Sequence, residues 1–263
     1  MDLGLKNKVA VVMASSRGLG FAVAEELARE GARLAICSRD GDAIGAAAEH
    51  LRASCNAEVC AGACDVEDAA AIDAFARKVI DTYGTVHVLF TNAGGPPPGT
   101  VADVVPADYS RAVSLNLMSA INCAYAFLPY MKEQRWGRII ASTSITVKQP
   151  LPALALSNVS RVGVIAFIKS LAVEYAQYGI TANAVAPGYI GTERVAGLLD
   201  ARVQREGITR EAAAHDIVAN IPAGRMGDPK EFAALVAFLA SERASYINGE
   251  TILVDGGMYR GLM

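Results

Sequence analysis

The chain has 263 residues, 52% hydrophobic and 19% charged, enough apolar material to offset the entropy of ordering and to exclude global disorder. Its 24 Lys and Arg against 27 Asp and Glu leave a net charge of −3, and no basic run supplies the footprint that phosphate-backbone binding needs, so nucleic acid is excluded as a partner. The five cysteines lack metal-ligand spacing; buried or incidental thiols, and no metal, are expected.

From the N-terminus, residues 1–7 show no cleavable signal pattern and lead into an apolar run, 8–13, of strand length. The turn Ala14-Ser15-Ser16-Arg17-Gly18-Leu19-Gly20 follows and opens a helical pattern at 19–29, which ends at Gly31 as C′ residue. Further strands are expected at 32–37, 57–63, 86–91, 137–142, 180–186 and 251–254. Helical segments fill 41–53, 68–82, 108–132, 157–178 and 229–240. Within these, the uncharged stretch 112–131 is long enough to cross a bilayer, but Ser114, Asn116, Ser119, Asn122 and Pro129 make a buried or interface helix the better reading. A cytoplasmic protein that does not engage membranes is expected. The polar, helix-patterned segment 192–221 stands apart and reads as a substrate lid. The regular βα alternation predicts an α/β fold, a doubly wound parallel sheet of seven strands with helices on both faces, in one domain spanning 1–263.

Gly18 and Gly20 sit where backbone must approach a pyrophosphate, at a helix N-terminus whose free N–H groups favour anions. With these glycines, Asn92-Ala93-Gly94-Gly95 beside the fourth strand, and Pro187-Gly188 with Ile190 and Thr192, the chain resembles the short-chain dehydrogenase/reductase family, close to its 3-oxoacyl-acyl-carrier-protein reductase branch. The family's glycine motif TGxxxGxG is matched only in its second half, because Met13 and Ala14 stand where Thr and the first Gly are expected. The resemblance implies a Rossmann domain whose dinucleotide meets Ser15, Ser16, Arg17, Gly18, Leu19 and Gly20. It further implies adenine contact at Asp65 and Val66, then Asn92, Ala93 and Gly94, with the nicotinamide carboxamide at Pro187, Gly188, Ile190 and Thr192. At the end of the second strand, Ser38 and Arg39, joined by Arg17, form a donor set suited to a 2′-phosphate, so NADP(H) is favoured over NAD(H), with Asp40 as the opposing feature.

Of the family's catalytic Ser, Tyr, Lys and Asn, the resemblance assigns Ser144 and Asn116 and finds the YxxxK positions occupied by Ser157 and Arg161. A serine hydroxyl is a far weaker acid than a phenol, and a guanidinium holds charge without relaying protons. Lys148, four residues after Ser144, is a second candidate donor, with an exposed surface lysine as its alternative. The arrangement is similar to a divergent branch of reductase-like proteins with VKQP and SNxxR segments. Three functions stay open: hydride transfer to a carbonyl substrate through this atypical site, conjugate reduction of an enone, whose enolate needs no strong acid, and a non-catalytic NADPH sensor or scaffold. In the resembled family the helices at 108–132 and 157–178 pair across two-fold axes, and their apolar excess here implies a homotetramer or homodimer, with Phe167 in that face.

Overall fold

The computed structural model describes residues 2–262. Seven strands, β1 (Val9–Val12), β2 (Arg33–Ser38), β3 (Val59–Ala63), β4 (Val88–Thr91), β5 (Gly137–Ser142), β6 (Ile180–Pro187) and β7 (Thr251–Val254), form one sheet in the order β3-β2-β1-β4-β5-β6-β7. Every neighbouring pair is parallel. Parallel strands need crossovers that cover both faces, which is why β1, β4 and β6 are buried along their whole length and mostly apolar. The order reverses between β1 and β4, and at such a switch point the carboxyl ends of the strands part to leave a crevice.

On one face α1 (Gly18–Arg29), α2 (Gly41–Cys55) and α10 (Pro229–Ala240) bury Leu27, Ile44 and Phe232 against the sheet. On the other, α3 (Ala69–Tyr83), α5 (Ser119–Glu133) and α7 (Val162–Tyr175) bury Ile72, Phe127 and Ile168. The expected helix at 108–132 is three pieces: α4 (Pro106–Val113), a π-helical turn at Ser114–Met118, and α5. That turn inserts an extra residue and swings Asn116 inward. The expected helix at 157–178 likewise divides into α6 (Ala155–Ser160), α7 and a short 3₁₀ turn. The spans Pro106–Glu133 and Ala155–Tyr178 are long and apolar enough to cross a membrane, yet 44% of each apolar window is buried within the fold. Segment 192–221 forms α8 (Glu193–Glu206) and α9 (Arg210–Ala219), which share a small core of Val195, Leu199, Ala213, Ile217 and Ile221 separate from the two sheet faces.

Candidate active site

A cleft of about 820 Å³ runs across the carboxyl ends of β1 to β6, roofed by the start of α8. Its first wall is the turn after β1, stapled by several hydrogen bonds. Met13 N donates to Phe90 O, Ser15 N to Cys37 O, and the Ser15 hydroxyl to Val12 O. The Asn92 amide donates to Ala14 O at 3.2 Å, tying the ends of β1 and β4 together. Ser16, Arg17, Gly18 and Leu19 line the cleft, while Ser15 and Gly20 are buried behind it. These two therefore shape the turn and do not form its wall: a Cβ on Gly20 would stand 2.4 Å from Ala14 O. No side chain caps α1, so its orphan N–H groups remain available to an anion in the cleft, and the site fits a dinucleotide pyrophosphate.

At the end of β2 the Ser38 hydroxyl donates to Asp40 O at 2.7 Å, inside the loop and away from the proposed donor fork. The Asp40 carboxylate accepts from the backbone N–H of Asp42 and Ala43 as the N-cap of α2. Arg39 lines the cleft, exposed and without an ion pair among the described residues. Arg17 instead pairs with Glu193 at 2.5 Å across the cleft mouth, so the expected grouping with Arg39 is not what this conformation holds. Asp65, Val66, Asn92, Ala93 and Gly94 continue the wall, and Pro187, Gly188, Ile190 and Thr192 close it.

The chemical end collects Ser144, Ser157 and Arg161 on one stretch of wall, facing Tyr189 and Arg194. The Ser144 hydroxyl oxygen accepts from Thr146 N at 3.2 Å, and Ser157 Oγ lies 3.3 Å from Thr146 Oγ1, so Thr146 links the two serines. Arg161 is buried and donates to Ser142 O; burial, reinforced by nearby Arg194, lowers its pKa to about 10, which leaves it charged at neutral pH. Burial raises the Tyr189 phenol above its ordinary value.

Two candidates fall elsewhere. Lys148 is exposed and off the cleft wall, because the 3₁₀ turn Ile145–Val147 carries the chain outward immediately before it. Asn116 is buried between helices, its amide donating to Ala112 O and to Ser160 Oγ at 3.2 Å, with Oδ1 unpartnered; it does not line the cleft. Arg194 was not among the expected site residues, although a signal existed: a cation in the first turn of a helix opposes the macrodipole and calls for a reason.

The family model described as "Enoyl-(Acyl carrier protein) reductase" matches residues 13–259. The chain belongs to the short-chain dehydrogenase/reductase family. It is 36% identical over 262 residues to the 3-oxoacyl-[acyl-carrier-protein] reductase FabG of Vibrio cholerae, covering 98% of this chain and 99% of that one. Among solved structures it is similar to L-sorbose reductase from Gluconobacter frateurii complexed with NADPH and L-sorbose, with a TM-score of 0.94, 32% identity and full coverage of both chains. It is also similar to YwfH, an NADPH-dependent reductase involved in bacilysin biosynthesis, with a TM-score of 0.93, 30% identity and coverage of 98% and 100%. Like other members of the short-chain dehydrogenase/reductase family it is an NAD(P)-dependent oxidoreductase, which sets aside the reading of a sensor without turnover.

Proposed function

We propose that the chain is a cytoplasmic NADP(H)-dependent reductase of a small carbonyl-bearing molecule. The observation that carries the cofactor choice is the end of β2, where Arg39 is unpaired on the cleft wall while Asp40, the residue a free ribose diol would want, is committed to capping α2. Ser16 to Leu19 at the uncapped end of α1 would hold the pyrophosphate, Asp65 and Val66 the adenine, and Pro187, Gly188, Ile190 and Thr192 the carboxamide. NADPH, when bound, supplies the hydride.

The chain's own contribution lies at Ser144. Because Thr146 N–H occupies a lone pair of the Ser144 oxygen, the hydroxyl proton is free to donate to the substrate oxygen as negative charge develops there. Arg161 adds a fixed positive charge on the same wall. At this end of the cleft no described side chain titrates near neutrality, so the final proton comes from water. That absence favours a second reading, conjugate reduction, whose enolate product is less basic than an alkoxide and is held by Ser144 without a strong acid. Exposed apolar residues on the π turn, α5 and α7 support a homotetramer or homodimer built through those helices.

A fluorescence titration with NADPH and NADH tests the cofactor claim without a substrate. NADPH is expected to bind at least about tenfold tighter, and Arg39→Ala to remove most of that preference, since a charge-assisted hydrogen bond contributes about 1.5–3 kcal/mol. Equal affinity for the two would overturn the assignment to Arg39, and binding of neither would overturn the reductase reading.

A further inference from the structure

The chemical end of the cleft carries two guanidiniums and no carboxylate to balance them. Arg161 is 8% exposed, and its guanidinium makes a single hydrogen bond among the described residues, Nη1 to Ser142 O at 3.3 Å. A buried cation held by one carbonyl is costly unless an anion joins it. Arg194 comes from the opposite side, in the first turn of α8, and its Nη2 donates to Pro96 O at 2.6 Å. Gly95 makes that crossing possible, because a Cβ there would lie 2.5 Å from Arg194 Nε. Neither arginine forms an ion pair among the described residues, and Arg194 lies close enough to disfavour the charge on Arg161. The acids on the cleft wall are engaged elsewhere: Asp40, Asp65 and Glu67 at the nucleotide end, and Glu193 with Arg17.

We infer that Arg161 and Arg194 together receive an oxyanion of the substrate, a carboxylate, so that the enzyme acts on an apolar carbonyl or enone acid. Two planar donor forks approaching from opposite walls suit a carboxylate, which accepts on two oxygens. Beside the hydroxyls of Ser144, Ser157 and Tyr189, this end of the cleft is lined by apolar Leu151, Leu154, Val195 and Leu198, and offers a dianionic phosphate ester no further charged donors. The word substrate rests on the reductase reading above; the anion site itself rests on the unbalanced charge. Arg194 also acquires a role at the lid, since an anion bound beneath it would tie the first turn of α8 to the sheet.

Calorimetric titration of the full chain with phenylpyruvate, its methyl ester and phenyl phosphate, with and without saturating NADP⁺, tests the site. Phenylpyruvate is expected to bind at least about tenfold tighter than the uncharged ester, in line with a charge-assisted pair. Arg194→Met should remove most of that preference and Arg194→Lys restore part of it, with the Kd for NADP⁺ unchanged within about twofold and an unaltered melting curve as the folding control. Acid and ester binding alike, or a preference that survives Arg194→Met, would overturn the inference. Phenyl phosphate binding tighter than phenylpyruvate would overturn the carboxylate in favour of a phosphate ester. Acid binding without NADP⁺ binding keeps the anion site and sinks the reductase reading, whereas NADP⁺ binding with no preference for the acid does the reverse.

Discussion

Ala14 holds a backbone conformation that costs an L-residue energy: its φ is +48°, in the left-handed region, immediately after β1. The hydrogen bonds around it over-determine the turn, with Asn92 on its carbonyl and the neighbouring Ser15 pinned to Val12 and Cys37. A left-handed L-residue costs about 1–2 kcal/mol, and glycine recovers this less about 0.5–1 kcal/mol of lost chain entropy. Ala14→Gly should therefore stabilise the protein by roughly 0.5–1 kcal/mol, a rise in Tm of about 1–4 °C for a chain of this size. A Tm that stays level or falls in a thermal melt would show that the surrounding bonds carry no strain. The departure from the family's glycine motif at this position was plain in the sequence, but its conformational consequence was not, since no local pattern reports a φ angle.

At the scale of elements, His87 joins the leading ends of β1 and β4: its backbone N–H donates to Val9 O, and its Nδ1 accepts from Val9 N at 3.0 Å. The ring is neutral in this arrangement. Burial, then the charges of Lys8 and Arg33, lower its pKa from 6.5 to about 4. Between those values the unfolded chain binds a proton that the folded chain does not, so stability is lost as the pH falls from 6.5 to 4. After discounting for partial solvent screening, the loss attributable to His87 is about 2 kcal/mol. His87→Asn keeps an acceptor for Val9 N and has nothing to titrate. In urea unfolding at pH 7 and pH 4.5 the wild type should lose about that much more than the variant, and equal losses would remove His87 from the acid response. Strands and helices of this kind were largely legible from period and punctuation: strands 137–142 and 251–254 and the helix at 229–240 match the structure end to end. What escaped was the π-helical turn at Ser114–Met118 and the break near Arg161, because both keep helical periodicity while changing which residue faces the site. Asn116 and Lys148 lie off the cleft wall for that kind of reason; a one-residue shift or a single 3₁₀ turn decides whether a side chain lines a cleft, and spacing alone does not resolve it.

For the whole molecule, the two long helical stretches Pro106–Glu133 and Ala155–Tyr178 on one sheet face leave apolar surface uncovered. Tyr125 on α5 is 69% exposed and Val173 on α7 is 74% exposed, and Met118 on the π turn and Val162 at the start of α7 are exposed beside their own elements' buried faces. Phe167, which the sequence placed in this surface, is instead partly buried against the core of α3, α5 and α7, so a charge there would damage the fold before it tested assembly. Tyr125 and Val173 separate the two effects, because both point away from the packed interior. Single exposed apolar residues are ordinary on a monomer, whereas several on two long adjacent helices supply the central patch that a symmetric interface needs. The double substitution Tyr125→Glu and Val173→Glu should shift sedimentation velocity from a dimer or tetramer to a smaller species, with the far-ultraviolet circular dichroism unchanged. An assembly that persists with both charges in place would move the interface off these helices, and a wild-type chain that sediments as a monomer would abolish it. Because α7 follows directly from α6, which bears Ser157, with Arg161 at the join, loss of the interface should also loosen the cleft wall and weaken NADPH binding in the same variant.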